Sequence, residues 1–322
     1  MPTWRRALAE AVTDPAELLS LLGLPSEPGA RLGHGLFPTR VPRGFIDRMR
    51  WGDRRDPLLL QVLPLALERE KIPGFVPDPL DELAHMPVPG LLAKYHGRAL
   101  ITTTGACAIH CRYCFRRHFP YPEANPGRDR WVAVLDHLQA DTGIEEIILS
   151  GGDPLSLSDH RLAELVAALE EIPHLKRLRL HTRLPVVVPE RVDSLLTGWL
   201  ENTRLQKVLV VHCNHGREID ARVRGALQRL AATGTTLLNQ SVLLRGINDS
   251  TDTLAELSTA LFTAGVLPYY LHQLDPVAGA AHFAVPDPEA KALIANLAGS
   301  LPGYLVPRLV RELPGRDAKT LL

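Results

Sequence analysis

The chain lacks net charge and a long apolar run, its start does not read as an export signal, and it has little cysteine. Lys plus Arg and Asp plus Glu both number 36, so the formal net charge is zero. A neutral balance gives no electrostatic reason to expect nucleic acid or an anionic membrane as a partner. No apolar stretch approaches the length of a membrane span. The start, MPTWRRALAEAVTDP, has scattered charges and no apolar core, so it does not read as a secretory signal. There are four cysteines, three of them within eight residues. Without an export signal, so tight a group reads as metal ligation before it reads as disulfides. With 322 residues, 45% of them hydrophobic, the chain can bury a large core. The expectation is a cytoplasmic enzyme.

The first 93 residues are rich in Pro and Leu and are expected to form a mainly helical extension. Asp14-Pro15 marks a helix start, residues 42–51 suggest another helix, and residues 73–89, with five prolines, suggest a wrapping linker. From Arg98 the pattern alternates. Apolar or β-branched runs at 98–104, 145–151, 176–182, 207–213, 235–244 and 266–274 are separated by segments with apolar residues at helical spacing. Gly234 and Gly265 stand where helix C-caps would fall. A repeated β-α unit implies parallel strands with right-handed crossovers. Six units fall short of the eight of a complete barrel. The fold expected is α/β, a partial, open (β/α)6 barrel over residues 94–300. A further helix (287–299) leads to an apolar stretch (304–310), and residues 301–322 are expected to form a C-terminal strand and a short tail. A ligand would sit at the C-terminal ends of the strands.

Directly after the first of these strands comes Cys107-Ala-Ile-His-Cys111-Arg-Tyr-Cys114. Three thiolates at spacings of four and three can hold three corners of a four-iron cube and leave the fourth iron open to a small molecule. Zinc is the main competitor. It would need a fourth ligand, and His110 and His118 are poorly spaced for that. Three unrelated cysteines are the remaining alternative. Cys213, far along the chain, reads as a small buried hydrophobe.

The C-x3-C-x2-C run after a barrel strand resembles the signature of the radical S-adenosylmethionine superfamily. That resemblance implies a reduced [4Fe–4S] cluster that splits bound S-adenosylmethionine to give a 5′-deoxyadenosyl radical, chemistry beyond any side chain. The segment Ser150-Gly151-Gly152-Asp153-Pro154-Leu155 resembles the superfamily's glycine motif for the methionine amino group. Without the cysteines it would read equally as a tight βα turn. His212 and Gln240, at the ends of the fourth and fifth strands, resemble residues that contact S-adenosylmethionine.

Over nearly the whole chain the sequence resembles the lysine 2,3-aminomutase family. The matching segments are CRYCFRRHF, IILSGGDPL, HTRLPVVVPERV, VVHCNH, NQSVLLRGIND and YYLHQLDPVAGAAHF. The resemblance implies that Arg116 holds the substrate α-carboxylate, a task suited to a guanidinium fork. It implies pyridoxal phosphate bound covalently by Lys319, with Lys94 and Arg98 at its phosphate. Here Lys94 stands where arginine is more usual, and only Gly315 remains of a glycine run before the lysine. It also implies that Asp275 and Glu312 compensate a distal ammonium, which fits lysine as substrate. Residues 13–25 and 41–64 resemble the shorter, EpmB-type group that makes (R)-β-lysine for elongation factor P. That group's product passes to a ligase, and an external donor supplies its electrons. The alternatives are an aminomutase serving another pathway, a radical enzyme without pyridoxal phosphate, and a non-catalytic cluster protein.

Overall fold

In the computed structural model, which describes residues 2–124 and 131–322, one nine-stranded sheet carries the chain in sequence order. The strands are β1 (Leu91–Tyr95), β2 (Arg98–Thr104), β3 (Glu146–Gly151), β4 (Arg177–Thr182), β5 (Gln206–Val211), β6 (Thr236–Val242), β7 (Leu267–His272), β8 (Arg308–Arg311) and β9 (Thr320–Leu321). Pairing is parallel from β2 through β8, with antiparallel β1 and β9 at the two edges. This is the open α/β barrel expected. The C-terminal segment adds to it, because β8 joins β7 in parallel after the helix Asp287–Ser300.

The crossover helices form where the apolar spacing predicts. The helix Ala221–Ala232 buries Val223, Ala226, Leu227 and Leu230, while Arg222, Gln228 and Arg229 face outward. Each aliphatic side chain taken fully out of water contributes roughly 1.5–3 kcal/mol. Asp220 begins this helix by accepting from Val223 N at 2.8 Å. Gly234 ends it at φ +76°, and Gly265 ends the helix Thr251–Thr263 at φ +81°, a conformation that side chains resist. Strand β3 is buried at five consecutive residues, its outer face under the crossover helices and its inner face within the barrel.

The N-terminal extension begins with short helices, including Thr3–Ala9, Pro15–Leu21 and Pro28–Leu36. Asp14 caps the second by accepting from Ala16 N at 2.9 Å, as the Asp-Pro step suggests. Between 42 and 51 only Arg43–Ile46 is helical, since the chain turns at Gly52 to donate to Leu22 O. Trp4, Leu18, Phe45 and Leu58 belong to the same hydrophobic core as the strands. Residues 73–89 do wrap the barrel. Val76 bridges to Val277, and a single 3-10 turn spans Leu83–His85.

Candidate functional site

A cavity of about 590 Å³ is lined by inward residues of the strands and by the segments that follow them. Every residue to which the sequence gives a cluster, cofactor or substrate role borders it. Cys107, Cys111 and Cys114 share it with Gly151, Gly152 and Asp153, and with His212 and Gln240. Arg116, Asp275, Glu312, Lys94, Arg98 and Lys319 complete the set.

The cysteine loop is held from two sides. On one side is the glycine loop after β3. Gly152 N donates to Thr104 O at 2.7 Å and Asp153 N to Ala106 O at 2.9 Å. A Cβ on Gly152 would stand 2.5 Å from Ala106 O, and Gly151 sits at φ +115° against Thr104 O. Neither position accepts a side chain, and the close approach here is to the cysteine loop's own backbone. The Asp153 carboxylate is turned inward. It accepts from Thr182 Oγ1, Arg183 N, Leu155 N and Leu184 N at 2.7–3.1 Å, and burial still lifts it to about 6. Asp153 therefore fastens the loop to the end of β4.

On the other side is the N-terminal extension. Arg112 and Arg117 both bind Glu68 in a fully buried cluster, and Arg112 N donates to Gln61 O. His110 stacks on Phe37. The paired arginines of the sequence thus part company: Arg117 ties the loop down, and Arg116 faces the cavity.

Burial pushes the Cys114 thiol up to about 12 and the Cys107 thiol up as well, with the neighbouring cysteines adding to both. Three thiolates here need positive charge. Arg183, which sequence reasoning missed, supplies part of it. Its Nη1 donates to Cys111 Sγ at 2.7 Å, while Nη2 reaches Glu218 Oε2 and Gln61 Oε1. The only signal for it was an arginine directly after a strand, in His181-Thr-Arg183. The same network holds His212, whose Nε2 accepts from Tyr113 Oη at 2.8 Å. Burial, then Arg183, lower His212 to about 3, so its imidazole is neutral. A lone zinc would need its ligands gathered on one ion, whereas a cube takes each thiolate on a separate iron.

At the other end of the cavity, β9 folds back on β8, pairing Leu321 with Val310 and Thr320 with Arg311. This hairpin carries Lys319 inward, where Nζ donates to Glu312 Oε2 at 2.5 Å. A lysine three residues from the end would ordinarily be solvated, and two short strands prevent it here. Lys94 lies 3.5 Å from Glu312 and 3.8 Å from Glu82. Burial would raise Glu312, but Lys319 and Lys94 overcome it and hold the carboxyl at about 2. Burial, reinforced by Glu312, raises Asp275 to about 7. Arg98 stacks over Tyr95 at the cavity wall.

A family model described as the radical SAM superfamily matches residues 101–257. The L-lysine 2,3-aminomutase of Escherichia coli is 52% identical over 99% of this chain and 94% of its own length. The Haemophilus influenzae protein of that name is 50% identical over 99% of this chain and 95% of its own. The chain belongs to the lysine 2,3-aminomutase family. A Clostridium subterminale relative of the same name is 38% identical over 83% of this chain and 64% of its own length.

The donors present suit the groups that the resemblance implies. Three thiols offer iron its preferred soft ligands. The inward lysine amine suits a carbonyl carbon, and Lys94 and Arg98 on the same cavity wall suit a phosphate. No helix of the described residues is long and apolar enough to cross a membrane.

Proposed function

We propose that this protein moves the α-amino group of L-lysine to C3, making β-lysine, as a radical isomerase that uses an iron–sulfur cluster, S-adenosylmethionine and pyridoxal phosphate. One observation carries the reading: a single cavity gathers three thiols, a buried guanidinium, an inward lysine and an acidic pair. Cys107, Cys111 and Cys114 would hold the cluster. The Gly151–Asp153 loop, His212 and Gln240 would receive S-adenosylmethionine. Lys319 would bind the carbonyl carbon of pyridoxal phosphate, with Lys94 and Arg98 at its phosphate. When bound, these groups supply a carbon radical and a ring able to delocalise an unpaired electron, which side chains do not offer.

The chain's own residues position and select. Arg116 takes the α-carboxylate; Asp275 and Glu312 take the ε-ammonium. Gripping both ends fixes the length of the substrate and the placing of C2 and C3 between them. A distal carboxylate would meet two acidic groups there, which disfavours glutamate. Lys319 must leave Glu312 and lose a proton from Nζ before it can act as an amine. Asp275, poised at about 7, is able to exchange that proton at neutral pH.

A pH dependence follows. The ammonium needs Asp275 ionised, so L-lysine affinity is expected to fall as pH drops below about 7, by up to about ten-fold per unit. Titration calorimetry across that range checks it, and flat affinity would remove Asp275 from the ammonium site. On stability the shift acts in the opposite sense. The neutral carboxyl favours the fold at low pH, and its contribution is lost as pH rises through about 7.

The resemblance of residues 13–25 and 41–64 to the elongation-factor-modifying group supports (R)-β-lysine as the product. Its consumer would be the ligase that charges elongation factor P, and a cytoplasmic setting goes with that partner. The test is anaerobic reconstitution with iron, sulfide, pyridoxal phosphate and S-adenosylmethionine, followed by chiral analysis of products from L-lysine. The expected product is (R)-β-lysine. Cleavage of S-adenosylmethionine without rearrangement of lysine would overturn the substrate assignment.

A further inference from the structure

Arg116 is buried, and its guanidinium is almost fully engaged by the protein itself. Nε donates to Glu82 Oε2 at 2.7 Å and Nη2 to Glu82 Oε1 at 2.8 Å. Nη1 donates to Ser150 Oγ at 3.1 Å and Gly151 O at 3.3 Å. Of five N–H groups, these bonds leave one Nη2 hydrogen for anything else in the cavity. Glu82 is itself 5% exposed and comes from the 73–89 wrap, far from the barrel strands in sequence. The residue before it, Asp81, is the one non-glycine residue with positive φ (+49°) among the described residues. Strain of that kind persists only where the surrounding structure enforces it, and it gathers at ligand clamps.

We propose that Glu82 is a positioning residue: it fixes the plane and direction of the Arg116 guanidinium so that the remaining Nη2 hydrogen meets the substrate carboxylate. This rests on the reading above that Arg116 binds that carboxylate. Bidentate pairing on the Nε side stops rotation about the terminal guanidinium torsion, and Ser150 and Gly151 hold the opposite corner. Without Glu82 the arginine would be a buried charge free to turn toward other acceptors. The side chain acts mainly on the carboxylate end: it grips Arg116 through two bonds, whereas it reaches the ammonium end only through Lys94, which lies 3.8 Å from Glu82 and 3.5 Å from Glu312.

The test measures equilibrium binding by calorimetry, on protein loaded with cluster and pyridoxal phosphate and with no S-adenosylmethionine present. The two probes are L-lysine and cadaverine, which keeps the chain and an amine but lacks the carboxylate. Glu82→Gln is expected to weaken L-lysine about ten-fold, the loss of a charge-assisted bond, and to change cadaverine by a much smaller factor, the effect passed on through Lys94. Glu82→Asp keeps the charge on a shorter arm and serves if the Gln variant does not fold, with a smaller loss of the same selectivity. Equal weakening of both probes would mean a merely structural role and overturn the proposal. So would L-lysine binding that is unchanged or tighter; a gain would mark Glu82 as a competitor for Arg116. Arg116→Lys, measured in parallel, separates the two readings. If it is selective for L-lysine while Glu82→Gln is not, only the positioning role fails. If wild-type protein does not prefer L-lysine to cadaverine and Arg116→Lys changes nothing, the carboxylate assignment fails and this proposal goes with it.

Discussion

Cys111→Ala protein, prepared without oxygen, is expected to fold, to retain iron only at background level and to make no β-lysine. The expected effect is complete because the site has no spare ligand. Cys107 and Cys114 are both pushed toward the neutral thiol by burial, and two such thiols cannot hold a cube through three of its corners. His110 offers no thiolate in its place: with Nδ1 paired to Pro38 O at 2.8 Å and the ring stacked on Phe37, it has only the neutral nitrogen Nε2 to present. Folding should survive, because the loop is tied by Arg112 and Arg117 to Glu68 and by backbone bonds to Gln61 and Arg40. Iron and sulfide analysis with electron paramagnetic resonance of the reduced protein reads the result. Cys213→Ala is the matched control. Its thiol is buried and directed at His215 O, outside the cavity, so iron content should not change. Full iron in the Cys111 variant would end the cluster assignment, and zinc at the triplet in wild-type protein would end the radical chemistry.

How much could be read without coordinates depended on the range of the interactions. The crossover helices follow from apolar spacing within a dozen residues, and caps such as Asp220 and Gly234 follow from local backbone chemistry. The cysteine triplet is local too. Glu82, Gln61 and Arg183 were invisible for the opposite reason. Arg183 meets Gln61 across 122 positions, and Arg116 meets Glu82 across 34, with no period or motif connecting either pair. Strand β8 has only four residues, preceded by Pro307, so a strand could be expected there but not its place in the sheet; the edge offered by β7 decides its pairing. Asp153 shows a subtler gap. Its place in the glycine motif was plain, but its carboxylate proves to be taken up inside the protein by Thr182 and three backbone amides. Lys319 stood out only through the family resemblance, because nothing local distinguishes a lysine near a chain end.

For that lysine the consequence of substitution is as large as for the cysteine. Lys319→Ala protein mixed with pyridoxal phosphate is expected to show only the spectrum of the free aldehyde, to retain no cofactor after borohydride reduction and to yield no β-lysine. The fold should hold, since β9 is kept by backbone pairing with β8 and by Leu322 N donating to Leu309 O, none of which involves Nζ. Glu312 would then lose its nearest cation and keep Lys94 alone, so its carboxyl should rise from about 2 toward the ordinary glutamate range. The rival amine in the cavity is Lys94, whose Nζ donates to Leu80 O at 3.0 Å and faces both Glu82 and Glu312. Lys94→Ala should weaken cofactor binding through the lost phosphate contact and leave the covalent chromophore intact at saturating cofactor. A chromophore that survives in Lys319→Ala and vanishes in Lys94→Ala would transfer the covalent role to Lys94. Glu312 would then keep Lys319 as a permanent partner, leaving Asp275 as the one carboxylate free to meet a substrate ammonium.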